Sequence, residues 1–267
     1  MFWLNGKPAD SVSLSDRSFQ YGDGCFTTML TRGGRIQHWS RHVERMNACL
    51  DLLSIPRPDW NQVEHWLQQA IRPDTKAGLK LHISRGEGGR GYSPTQVASP
   101  NVTISDFIYL PHYEQWVSGG LELGICRTRL GHNPLLAGHK HNNRLEQVLA
   151  KAELDDGGNA DGVVLDIRDH VVETTMANLF WVKDATLFTP DLRNAGVNGV
   201  MRRIVLEQAK TLSLETSIGD FKLEELLSAD EVFVSNSVLG VAPITLIGST
   251  SFDIGKITKR IQEMIDS

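Results

Sequence analysis

The segment Gly138-His139-Lys140-His141-Asn142-Asn143-Arg144 sets one lysine among polar side chains, just ahead of an apolar-periodic stretch. An exposed lysine has a pKa of ~10.4 and is a poor nucleophile at neutral pH. Burial or neighbouring cations lower that value and open Schiff-base chemistry; His139, His141 and Arg144 are neighbours of that kind. The same residues also read as a plain solvated helix start. A second unusual position is Glu173, which ends the apolar run Val171-Val172 and precedes Thr174-Thr175-Met176-Ala177-Asn178-Leu179-Phe180. A carboxylate is seldom buried without a partner, and a protonated pyridine nitrogen is one partner it can serve. A glutamate facing water from an edge strand is the alternative.

Other patterns carry less chemistry. Gly86-Glu87-Gly88-Gly89-Arg90-Gly91 is glycine-rich, but it lacks a Walker lysine and no helix clearly opens after it, so it is weak as a phosphate loop. His38 and His42, like His139 and His141, lack the further ligands of a zinc site. No Gly-x-Ser-x-Gly elbow is present.

Hydrophobic periodicity supplies the elements that must position these groups. Asn5-Gly6 suits a tight hairpin turn after a short strand at 2–4. Strands are expected at 26–31 and 35–39, joined at Gly33-Gly34. A helix capped by Ser40 runs to about Leu53, with Val43, Met46, Leu50 and Leu53 on one face. Pro56 and Pro58 end it, and Asp59 caps a second helix carrying Val63, Trp66, Leu67, Ala70 and Ile71. Strands at 79–84 and 102–110 flank a loop at 85–100. Beyond Pro111 comes a strand at 121–127, then a helix with Leu145, Val148, Leu149 and Ala152 as its apolar stripe. Short strands are expected at 162–167, 171–173, 179–182 and 186–189, and further strands at 231–235 and 241–247. Helices are expected at 201–212, 223–227 and 254–265. The order is too strand-heavy for a βαβ series, so the expected class is α+β.

Glu173 and the residues after it form a longer pattern: Thr175, Asn178-Leu179-Phe180, Leu187-x-Thr189, then Val197-x-Gly199-Val200-x-Arg202. This spacing resembles the signature of the class IV pyridoxal-phosphate aminotransferases, the fold-type IV family. Ser15-Asp16-Arg17-Ser18-Phe19-Gln20-Tyr21-Gly22-Asp23-Gly24 looks like that family's N-terminal segment, and His42-x-x-Arg45-Met46 looks like its phosphate-arginine helix. Several segments look more like the family's lyases than its transaminases. They include Gly22 to Thr28, Gly88 to Ser93, Arg129 to Pro134, His139 to Leu149 and Ala195 to Arg202.

The resemblance implies a two-domain fold, with a small α+β domain over 1–113 and a larger, strand-rich, cofactor-binding domain over 114–267. It implies pyridoxal 5'-phosphate as cofactor, lying between the domains, and a homodimer. Lys140 matches the Schiff-base lysine and Glu173 the carboxylate that keeps the pyridine nitrogen protonated. Arg45 matches the phosphate arginine. Val200 and Met201 match positions whose backbone amides bind phosphate, Val197 the residue packed on the ring, and Asn236 with Ser237 a further phosphate-side turn. Thr28 matches a hydroxyl assigned a proton relay in the lyases; a threonine packed in a strand is the other reading. Arg90 stands where D-amino-acid transaminases hold a substrate carboxylate. Tyr92 and Phe26 replace a histidine and a tyrosine of those enzymes, which weakens a transaminase reading without excluding it. Arg127 and Arg129 are candidates for a second carboxylate.

The composition agrees with a folded chain of this kind. The 267 residues include 40% hydrophobic types, 27 Lys+Arg and 32 Asp+Glu, for a net charge of −5. This mild acidity argues against a nucleic-acid partner. No stretch approaches the ~20 apolar residues of a membrane span, and no signal peptide is expected. Three scattered cysteines suggest neither a zinc site nor a disulfide framework, so a reducing cytoplasm is expected.

Overall fold

Asn5 and Gly6 turn the chain as their residue types demand, with φ of 48° and 78°. They join β1 (Phe2–Leu4) to β2 (Lys7–Pro8). A Cβ on Gly6 would lie 2.2 Å from the Trp66 indole, so close approach as well as φ requires glycine here. The structure, a computed structural model, describes residues 1–97 and 99–266. These form two units: Met1–Leu110 with His139–Asn143, and Pro111–Gly138 with the chain from Arg144 onward.

The first unit continues with α1 (Arg17–Tyr21), β3 (Gly24–Arg32), β4 (Arg35–Ile36), α2 (Trp39–Leu52) and α3 (Trp60–Ala70). It closes with β5 (Lys76–Ser84), β6 (Gly88–Arg90), β7 (Ser93–Val97) and β8 (Asn101–Ile108). One antiparallel sheet has the order β2-β1-β8-β5-β3-β4. Side chains alternate along a strand, so β3 sends Cys25, Thr27 and Met29 to one face and Phe26 and Thr28 to the other. Cys25 and Met29 join Met46, Cys49 and Leu50 of α2, Val63 and Leu67 of α3, and Leu79, Leu81 and Ile83 of β5 in a single core. Asp59 caps α3 as expected, accepting from the amides of Asn61 and Gln62.

Three expectations for this unit change. The strand expected at 35–39 ends at Ile36, and Trp39 already begins α2. Helix α2 is capped by His38, not Ser40: the His38 carbonyl accepts from the Arg41 and His42 amides, and its φ of 55° turns the chain out of β4. The segment 85–100 holds the β6–β7 hairpin; Ala98 lies outside the described residues. Arg17, 3% exposed, pins this hairpin by donating to the carbonyls of Gly91, Tyr92 and Ser93 while pairing with Asp23 at 2.9 Å.

The second unit comprises α4 (His112–Gly119), β9 (Leu121–Leu130), α5 (Leu145–Asp156), β10 (Asp161–Asp166), β11 (Val171–Thr174), β12 (Asn178–Lys183) and β13 (Thr186–Pro190). There follow α6 (Val200–Thr211), β14 (Thr216–Gly219), α7 (Leu223–Leu227), β15 (Glu231–Asn236), β16 (Gly240–Ile247), β17 (Thr250–Ser251) and α8 (Lys256–Asp266). Its sheet runs β11-β10-β9-β16-β15-β12-β13-β14, with β17 beside β16. Every residue of β10 is buried. Glu231 caps α8, accepting from the amides of Ile257 and Thr258. No helix among the described residues is long and apolar enough to cross a membrane.

Helix α5 is rotated from the expected face. Leu145, Val148 and Leu149 are exposed, and Ala150 and Leu154 are buried instead. Leu154 fills the space left by two glycines: a Cβ on Gly162 would lie 2.5 Å from it, and one on Gly124 2.9 Å. Glu153 fixes the same face. The β9–β10 ladder shifts register past Val163, and the Glu153 carboxylate takes the amides of Arg127 at 2.6 Å and Thr128 at 2.9 Å beside that shift. These bonds favour the ionised form and hold the Glu153 pKa down at about 2. A depressed carboxyl stabilises the fold above its ordinary value of 4.5 and loses that contribution as pH falls toward 2. Glu153→Gln should therefore cost about 1–3 kcal/mol at neutral pH and flatten the acid limb below pH ~4.5, as read by urea unfolding across pH.

Candidate active site

Residues 139–143 lie, in sequence, between two stretches of the second unit, yet they belong to the first. They run antiparallel to the start of β3. Cys25 bridges His141, the Phe26 amide donates to the Lys140 carbonyl at 3.0 Å, and the Asn142 amide donates to the Gly24 carbonyl at 3.0 Å. This register puts Lys140 and Phe26 on one face of the sheet, and the Lys140 Nζ stands 4.8 Å from the Phe26 ring centroid. Thr28, half-buried, lies on that face too, opposite Lys80 of β5.

Lys80 is a functional candidate that sequence reading missed. Its Nζ lies 4.7 Å from the same Phe26 ring. Both ammonium groups are thus drawn to one quadrupole. Burial pushes down the pKa of His139, expected as a cationic neighbour of Lys140, and so disfavours its charged form. No sequence motif joins Lys80 to this group; only the β3–β5 register does.

A polar chain steadies the segment carrying Lys140. Asn142 Nδ2 donates to Ser18 Oγ at 2.8 Å, and Ser18 Oγ lies 3.3 Å from His82 Nε2. Burial, aided by the Lys80 charge, pushes the His82 pKa down to about 4. The folded state therefore prefers neutral His82. Its contribution is complete above the ordinary value of 6.5 and is lost as pH falls toward 4. Urea titrations should show stability falling across this window in the wild type, and a flatter profile in His82→Asn.

The opposite face of β3 holds the proposed phosphate arginine. Thr27 is fully buried; its Oγ1 lies 2.6 Å from His42 Nδ1 and accepts a hydrogen bond from Arg45 Nη2. Arg90 and Tyr92 stand elsewhere, on the β6–β7 hairpin. Both are exposed, and the Tyr92 ring lies 5.6 Å from that of Tyr21.

In the second unit Glu173 is 5% exposed on β11, which removes the reading of a solvated edge carboxylate. Its Oε2 accepts from the Val197 amide at 2.9 Å. The Val197 carbonyl accepts from Asn178 Nδ2 at 2.8 Å. Gly138 pairs with the same segment: its amide donates to the Gly196 carbonyl and its carbonyl accepts from the Asn198 amide, each at 2.9 Å. Val197 leads into α6, whose cap, Gly199, provides no side-chain acceptor for the first amides at Val200 and Met201. A Cβ on Gly199 would lie 2.2 Å from Asn178 Oδ1. Thus Glu173, Val197, Val200 and Met201 are gathered within one unit.

Asn236 and Ser237 follow at the end of β15. The Asn236 side chain is committed to its own turn, accepting from the amides of Val238 and Leu239. The Arg127 side chain is 91% exposed beside Glu153, and Arg129 pairs with Asp169 at 2.9 Å.

Residues 24–247 match the family model described as amino-transferase class IV, and the chain belongs to that family of pyridoxal-phosphate enzymes. It is 57% identical to an aminodeoxychorismate lyase of Vibrio harveyi, over 98% of both chains. The crystal structure of 4-amino-4-deoxychorismate lyase from Pseudomonas aeruginosa superposes with a TM-score of 0.90 at 40% identity, covering 99% of this chain and 98% of that one. A branched-chain amino acid aminotransferase of Escherichia coli shares the fold, with a TM-score of 0.87 at 24% identity, covering 98% and 92%. The mixed α+β, fold-type IV architecture is thereby established.

Proposed function

We propose that this chain is a pyridoxal 5'-phosphate-dependent aminodeoxychorismate lyase, converting 4-amino-4-deoxychorismate to 4-aminobenzoate and pyruvate for folate synthesis. The observation that carries this reading is the 57% identity to the Vibrio harveyi lyase over nearly the full chain. The donor sets suit the cofactor. Arg45 and the uncapped start of α6 favour an anionic phosphoester, since unpaired first amides and the helix dipole attract negative charge. Glu173, buried against Val197, suits a protonated ring nitrogen. When bound, pyridoxal phosphate supplies a carbonyl that captures the substrate amine and a ring that accepts the electron pair released at the neighbouring carbon.

Each residue then has one task. The Lys140 amine takes the proton from C4 of the substrate. The enolpyruvyl ether leaves from the adjacent carbon, with a proton delivered by Lys140 or through the Thr28 hydroxyl. The enol released becomes pyruvate, and the ring left behind is aromatic, which drives the step. Glu173 holds the ring nitrogen protonated, and Val197 packs against the ring. Arg45, the amides of Val200 and Met201, and the Asn236-Ser237 turn hold the phosphate. Phe26 lines the substrate side, while Arg90 and Tyr92 serve its carboxylate end. We assign Glu173, Val197, Val200, Met201 and the Asn236-Ser237 turn to a larger domain from about residue 114, and Arg45 with the substrate residues Phe26, Arg90 and Tyr92 to a smaller one before it.

A transaminase acting on D-amino or branched-chain amino acids is the second reading, favoured by the family match alone. It needs a keto acid to complete each cycle, whereas the lyase needs none. Purified protein should release 4-aminobenzoate from aminodeoxychorismate without added keto acid, and Lys140→Ala should lower the rate by about 10²–10⁴-fold or more. Amine transfer to a keto acid with no 4-aminobenzoate formed would instead establish the transaminase.

We also propose a cytoplasmic homodimer. Cys25, Cys49 and Cys126 are buried and form no disulfide, in keeping with a reducing compartment. Leu145, Val148 and Leu149 expose a contiguous apolar face on α5, a surface of the kind used for association. Val148→Glu should shift sedimentation from dimer toward monomer while the wild type stays dimeric.

A further inference from the structure

An arginine that selects a phosphoester must present its planar fork at a fixed angle, yet its side chain has many rotamers to lose. In the first unit one partner that restrains Arg45 is Thr27. Thr27 sits on β3, and its β-branched side chain is stiff at χ1. Its hydroxyl is completely buried. One lone pair accepts from Arg45 Nη2. A hydroxyl has a single proton, and His42 Nδ1 at 2.6 Å is placed to accept it. His42 lies three residues before Arg45 on α2, so the helix presents both residues to the same point of the strand.

We propose that Thr27, oriented by His42, is a positioning residue for Arg45: it sets the guanidinium plane and thereby the chain's discrimination between a phosphorylated and an unphosphorylated pyridoxal. The inference rests on reading Arg45 as the phosphate residue. Simple packing would need only the volume of Thr27, which valine matches. A charge-assisted bond from a guanidinium to a buried hydroxyl has no valine equivalent. The same strand thus serves Lys140 through Phe26 on one face and Arg45 through Thr27 on the other.

The test uses protein purified as holoenzyme and stripped to the apo form. Dissociation constants for pyridoxal phosphate and for pyridoxal are read by absorbance titration, and the pyridoxal constant divided by the pyridoxal phosphate constant is the ratio of interest. Thr27→Val should lower this ratio about tenfold, equivalent to about 1.4 kcal/mol, with pyridoxal binding unchanged. Thr27→Ser, which keeps the hydroxyl and serves if the valine variant folds poorly, should stay within about twofold of wild type. A Thr27→Val protein with lowered melting temperature but an unchanged ratio would overturn the proposal. If Arg45→Ala collapses the ratio in that case, the phosphate reading of Arg45 survives without it. If wild type and Arg45→Ala have equal ratios, the reading of Arg45 fails and the proposal falls with it.

Discussion

The first unit depends on the register in which residues 139–143 lie along the start of β3. Three backbone pairings, at Gly24, Cys25 and Phe26, hold this segment. Backbone pairing is the strongest available constraint on side-chain direction, because a shift of one residue would send every side chain to the opposite face. In the observed register Lys140 projects onto the Phe26 side. With a one-residue slip it would point toward the core of Met46, Cys49 and Leu50. Unpaired burial of an ammonium there would be prohibitive. The location of Lys140 is therefore decided by main-chain hydrogen bonds, and its electrostatic surroundings follow from that placement.

The two units present positive charge differently. In the first, charge is carried by side chains: Arg45, Lys80 and Lys140 are each steadied by neighbours on the sheet. In the second, the start of α6 presents backbone amides and a macrodipole, and requires only that position 199 be small. Arg202, in the first turn of α6, is not a spare cation, because it donates to Asn198 Oδ1 and the Pro190 carbonyl. The net charge of −5 gives no hint of either arrangement.

Much of the fold was legible from periodicity. The Asn5-Gly6 turn, the Asp59 cap and most strands of the second unit stand where residue pattern places them, because each depends on local propensity. Helix α5 did not follow. Its leucine and valine stripe was read as core, but the sheet accepts Ala150, Glu153 and Leu154 because Gly124 and Gly162 leave room there and shifted amides on β9 need an acceptor. Neither requirement is visible within the helix. The β6–β7 hairpin was hidden for a similar reason, since Arg17, which holds it, lies far away in sequence.

The chain's own residues determined the family, through Lys140, Glu173, Arg45 and the spaced run from Thr175 to Arg202, because such motifs are short-range patterns of residue type. They also identified Glu173 as a carboxylate in an apolar setting. The tertiary structure alone decided which partners those groups meet. Thr27 and His42 reach Arg45, Lys80 shares a ring with Lys140, and Val197 bonds Glu173. Burial disfavours the charged form of His139. Partnership of this sort depends on strand register and helix rotation, which are long-range properties, so no local pattern of residue types could have announced it.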